Sequence, residues 1–62
     1  MLSNATIRAY ARTMDAELRT IDEVDEEYRV AVYVELIKRY QWSIDEVDVR
    51  YQEQVKVELE VK

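Results

Sequence analysis

Residues 20–36, TIDEVDEEYRVAVYVEL, return as residues 43–59, SIDEVDVRYQEQVKVEL, after an offset of 23 positions. Ile21 meets Ile44, Asp22 meets Asp45, Glu23 meets Glu46 and Val24 meets Val47, and further on Tyr28 meets Tyr51, Val32 meets Val55 and Leu36 meets Leu59. Carried backwards, the same offset sets Tyr10 against Tyr33 and Ala11 against Val34, so the segment ending near Leu18 does for the first unit what residues 32–41 do for the second. The chain therefore reads as two overlapping 23-residue repeats that share their middle helix. Each unit opens on a capping box, Thr20-Ile21-Asp22-Glu23 and Ser43-Ile44-Asp45-Glu46, in which hydroxyl and carboxylate satisfy amides that a helix start leaves unpaired. The carboxylates that follow suit the positive end of a helix, and they lack the spacing of a calcium loop.

Working outward, the spacing of apolar residues predicts three helices. The first, about Asn4 to Glu17 with Ser3 as cap, carries Ile7, Tyr10, Ala11, Met14 and Leu18 on one face. The second, about Ile21 to Arg39, has the stripe Ile21, Val24, Tyr28, Val32 and Leu36, and is apolar nearly all round, as a central helix covered on more than one side should be. The third, about Ile44 to Glu60, repeats that stripe as Ile44, Val47, Tyr51, Val55 and Leu59. Short connections at Leu18-Arg19 and Tyr40-Gln41-Trp42 predict an all-α, antiparallel three-helix arrangement in a single small domain, residues 1–62. A competing reading exists: residues 55–62 alternate apolar and polar, and residues 29–36 are rich in β-branched side chains, so a two-stranded element is the alternative.

Composition excludes more than it includes. The 62 residues contain no His, Cys, Gly or Pro, which removes disulfides, thiolate and imidazole chemistry, nitrogen or sulfur metal ligands and phosphate-cradling glycine loops. No cofactor is expected, and the chain points away from an enzyme; a catalytic reading would need a carboxylate pair such as Glu35 with Asp25 or Glu58 in an apolar cleft. Nine basic against fourteen acidic residues give a net charge of −5, the wrong sign for nucleic acid or an anionic membrane surface. Residues 1–19 balance at +1 and the two later thirds at −3 each. No apolar run is long enough for a membrane span, and no signal peptide is visible, so an intracellular, soluble protein is expected.

A core of this size supplies roughly 3–5 kcal/mol at best. Helix 2 nevertheless carries apolar residues beyond its stripe, Val30, Tyr33, Val34 and Ile37, and helix 3 adds Val49, Val57 and Val61. These seven are the candidate interface, predicting a homo-oligomer or a protein partner. Tyr28 and Tyr51, at equivalent stripe positions, are expected at the edge of the core, and Trp42 is expected to pack over the start that follows it.

The run Thr20-Ile21-Asp22-Glu23-Val24-Asp25-Glu26-Glu27-Tyr28-Arg29, with Val32 after it and Ala9-Tyr10-Ala11 and Leu18-Arg19 before it, resembles a family of very short proteins encoded in phages and prophages of low-GC Gram-positive bacteria, often near tail genes. Their pattern has Gly where this chain has Glu17-Leu18, and Pro where it has Asp25 and Asp48; loss of that Pro permits a continuous helix. The resemblance implies a phage or prophage setting, and with it a place in the host cytoplasm or in association with a virion. With the apolar surplus it predicts a non-enzymatic interaction or assembly protein that self-associates through helix faces. The alternative is a small acidic host-directed inhibitor, of the anti-restriction, anti-CRISPR or polymerase-binding kind.

Overall fold

The computed structural model describes residues 2–60, and all regular structure among them is helical. Three twelve-residue helices, α1 (Asn4–Asp15), α2 (Arg29–Tyr40) and α3 (Val49–Glu60), are joined by two crossovers that contain 3-10 turns at Ile21–Glu23, Glu26–Tyr28 and Ile44–Glu46. The segment read as a possible strand is helical through Glu60.

Helix α1 starts as its sequence requires, with the Ser3 hydroxyl accepting from the Thr6 amide at 3.3 Å. It stops at Glu17, whose φ of 64° is left-handed, so that the Leu18 amide reaches the Thr13 carbonyl (2.8 Å) and the Glu17 amide that of Met14 (3.0 Å). Helix α2 ends on another left-handed residue, Gln41 (φ 62°), and the Trp42 amide turns back to Leu36.

The second and third helices begin later than the periodicity predicts, at Arg29 and Val49 instead of Ile21 and Ile44. Both capping boxes are in place, with the Thr20 amide donating to Glu23 and the Ser43 amide to Glu46, each at 2.8 Å, but each caps a single 3-10 turn. The reason lies downstream. The Arg29 guanidinium donates to the carbonyls of Val24 (2.9 Å) and Asp22 (3.2 Å), which a continuous α-helix would give to the amides of Tyr28 and Glu26. At the corresponding place in the second crossover, the Gln52 amide group donates to the Val47 carbonyl at 2.8 Å. The amides of Tyr28 and Tyr51 turn instead to Asp25 and Asp48. Chain extension at Val24 (ψ 137°) and Asp25 (ψ 136°) then drives Val24 inward.

Helix direction differs from expectation as well. The Ser3 amide, at the start of α1, donates to the Tyr28 hydroxyl just before α2, while Asp15, at the end of α1, accepts from the Trp42 indole (3.0 Å) just past the end of α2. Helices α1 and α2 therefore run side by side in the same direction, not antiparallel. The first turn of α3 likewise meets the first turns of α2, through Tyr51 with Arg29 (2.9 Å) and Asp48 with Tyr33 (3.2 Å). The crossovers are long enough to carry the chain back each time, because eight residues with some extended backbone span the roughly 18 Å length of a twelve-residue helix.

The core joins the two kinds of segment: Ile21, Val24 and Val47 from the crossovers close over Val32, Tyr33 and Leu36 of α2, with Ala11 and Met14 of α1 and Val55 of α3. Helices α1 and α3 each pack on α2 and make no comparable contact with one another. Positions 23 apart meet in matching ways, the Tyr10–Tyr28 ring centroids 5.7 Å and the Tyr33–Tyr51 centroids 6.1 Å apart.

Candidate interaction surface

Since Val32, Tyr33 and Leu36 turn α2 toward the core, the opposite side of that helix is only partly covered, and Val30, Ala31 and Val34, all half-buried and the two valines also touching the core, line an open groove of about 560 Å³. Ile7 of α1 and Gln54 and Glu58 of α3 also line it. Its margin is charged with both signs: Glu27 comes before the first turn of α2, Lys38 in its last turn, Arg8 from α1 and Glu58 from α3. Glu35 and Arg39 answer each other across one helical turn at 2.9 Å. Among the described residues Arg8, Glu27, Lys38 and Glu58 form no ion pair.

The seven predicted interface residues are scattered by the fold. Val30 and Val34 line the groove and are half-buried. Ile37 packs against the core. Tyr33, 3% exposed, is a core residue whose hydroxyl accepts from the Asp48 amide, so its ring is taken up inside the molecule and is not free for a partner. Val49 and Val57 are 79% and 44% exposed on α3 and do not line the groove. Val61 lies outside the described residues. Sequence reasoning missed Ile7, Ala31 and the charged margin; the spacing of Glu27, Ala31, Val34 and Lys38 at intervals of four, three and four residues was the signal for a single helix face.

The outer flanks differ from this face. Ala5, Ala9 and Thr13 of α1 border a shallow hollow of about 280 Å³, standing 23 positions before Tyr28, Val32 and Leu36. On α3, Glu53, Lys56 and Glu60 stand where α2 has Val30, Tyr33 and Ile37. Small or polar side chains thus replace those residues at both flanks, with the exposed Val49 as an apolar interruption on α3, and the groove is where apolar side chains from two helices come together.

Electrostatics tie the crossovers to the helices. The Arg50 guanidinium contacts Asp48 and Asp22, each at 3.0 Å, so one side chain spans the first crossover and the start of α3. Its hydrogen bonds hold the Asp48 carboxyl below the usual carboxylate range. Burial pushes the Tyr33 phenol above 10, its ordinary value. A raised phenol stabilises the fold fully below pH 10 and loses that contribution as pH climbs through its folded value. In alkaline titration the phenolate absorbance that wild type shows and Tyr33→Phe lacks should therefore appear together with loss of helical circular dichroism. A Tyr33 component that appears while the protein is still fully helical would contradict its placement.

Among the described residues no group of three or more His, Cys, Asp or Glu side chains could hold a metal ion, and no helix is long and apolar enough to cross a membrane. Glu35 and Glu58, one pair considered for acid–base work, both line the groove, but Arg39 holds the Glu35 carboxylate. Comparison with known protein families, curated proteins and solved structures finds no match for this chain.

Proposed function

We propose that this protein is a non-enzymatic interaction protein of phage or prophage origin, an assembly factor or minor structural component that engages another protein chain through the groove on α2. The observation that carries the reading is the groove itself: three apolar positions of a central helix and one of its neighbour stay only half-buried side by side in one concave face, whereas the apolar residues exposed on the α3 flank, Val49 and Val57, do not line it. That is the surface character of a docking face with closed sides.

Two backbone details support the family resemblance. Glu17, where the family has Gly, adopts φ 64°, and Asp25, where it has Pro, adopts φ −52° and ψ 136°. These are conformations that glycine and proline favour. The matched contacts of the two crossovers support a duplicated unit.

Val34→Asp places a charge in the groove at a half-buried position that also packs against the core, and Ala31→Asp places one in the groove outside that core. Val34→Asp should lose some stability in urea, Ala31→Asp should keep the wild-type circular dichroism spectrum, and both should lose association, read as mass by size-exclusion chromatography with light scattering at high micromolar concentration and as capture of partner chains on immobilised protein. Identical association by wild type and Val34→Asp would overturn the proposal. The exposed carboxylates of the crossovers, among them Asp22, Glu23, Asp45 and Glu46, favour the second reading, an acidic inhibitor of a host protein. Binding that survives Val34→Asp and vanishes in salt would assign function to that side.

A further inference from the structure

The face that floors the groove, formed by the 3-10 turn before α2 and by α2 itself, is complementary in charge to its own reverse. Glu27 is negative at one extreme and Lys38 positive at the other, with Ala31 and Val34 between them, all four lining the groove. Turn a second copy end for end and Glu27 faces Lys38, Ala31 faces Val34, Val34 faces Ala31 and Lys38 faces Glu27. A two-fold axis at the level of the peptide between Val32 and Tyr33 generates all four pairs. The alanine beside the valine lets two helix backbones approach closely, and each small side chain meets a larger one. The wall residues Arg8 and Glu58 also lack an ion-pair partner among the described residues.

We infer that the occupant of the groove is a second copy of this chain, with the two α2 helices crossing antiparallel in an isologous dimer held by paired Glu27–Lys38 contacts. The inference rests on the proposed interaction function and names the partner. Its charge order is what selects a copy of the same chain: a parallel pairing would set Glu27 against Glu27 and Lys38 against Lys38, and an unrelated partner has no reason to match this reversal. The face is small beside the roughly 800 Å² per partner of a standard stable interface, since the molecule measures 26 × 26 × 20 Å. The dimer is accordingly a weak one that forms at high local concentration, as in an assembling particle.

Sedimentation equilibrium between about 10 µM and 1 mM, on wild type, Glu27→Lys, Lys38→Glu and the double swap, tests this. Both side chains are exposed and form no ion pair among the described residues, so all four proteins should give the same circular dichroism spectrum. Either single swap creates two like-charge contacts per dimer and should weaken association about tenfold at low salt. The double swap should return it to near the wild-type value. Within one copy the two positions are separated by roughly 16 Å along the 3-10 turn and α2, about twice the Debye length at physiological salt, so rescue that persists at physiological salt reports a contact between copies. A wild type that is monomeric at every concentration overturns the second-copy inference while leaving capture of a different chain, sensitive to Val34→Asp, as the sign that the broader proposal holds. A dimer that both single swaps leave unchanged, or that the double swap fails to restore, overturns it as well.

Discussion

Leu36→Ala is expected to bring the protein close to its unfolding midpoint at 25 °C without denaturant. Leu36 is fully buried at the centre of α2, where residues from all three helices and both crossovers converge. Truncating such a side chain costs about 2–5 kcal/mol, through lost transfer energy and the cavity that remains. A core in a chain of 62 residues provides only about 3–5 kcal/mol, so the deletion consumes most of what there is. Leu59, its counterpart 23 positions on, is half-buried, and Leu59→Ala should cost clearly less. Urea titration followed by circular dichroism and by the fluorescence of Trp42, the single tryptophan, reads both. A Leu36→Ala protein less than 1 kcal/mol below wild type would show that the core is not arranged as described.

The largest gain in stability should come from three substitutions that add no contact. Glu17 and Gln41 occupy left-handed backbone at the ends of α1 and α2, which is strained by about 1 kcal/mol or more for a residue with a Cβ and free of that strain for glycine. Asp25 has φ −52°, Val24 before it is extended, and the Asp25 amide makes no bond among the described residues, so a proline fits and restricts the unfolded chain by about 0.4–1 kcal/mol. Combined, E17G, D25P and Q41G should add about 2–3 kcal/mol, with the melting temperature rising by roughly 4–8 °C for each kcal/mol in a domain of this size. Asp48 is the control. Its amide donates to the buried Tyr33 hydroxyl at 3.2 Å, so Asp48→Pro removes a bond that Asp25→Pro does not, and should destabilise. Thermal melts of the four proteins check this, and equal effects at positions 25 and 48 would refute it.

Those positions show how far the sequence could be read. Helix number, the apolar stripes and their cores at Val32, Leu36 and Val55 follow from periodicity, which depends only on what each residue prefers to bury. The helix starts do not follow from it. They are set by Arg29 and Gln52, two polar side chains that take carbonyls from the helical ladder, and no spacing rule announces which carbonyl a guanidinium will choose. The common direction of α1 and α2 was hidden for the same reason, because crossovers mistaken for helix left connections too short to carry the chain back. Of the candidate surface, Val30 and Val34 were legible as apolar excess on α2. Tyr33 was read the same way, yet its long ring spans the gap to Tyr51 and the start of α3.

With α1 and α3 both packed on α2 and hardly on one another, the molecule has a spine and two leaves. Opening of one leaf is expected to cost less than opening of the spine, because α2 cannot open without releasing both. Amide exchange along α2 therefore measures the whole molecule, and exchange along α1 or α3 measures the grip of one leaf.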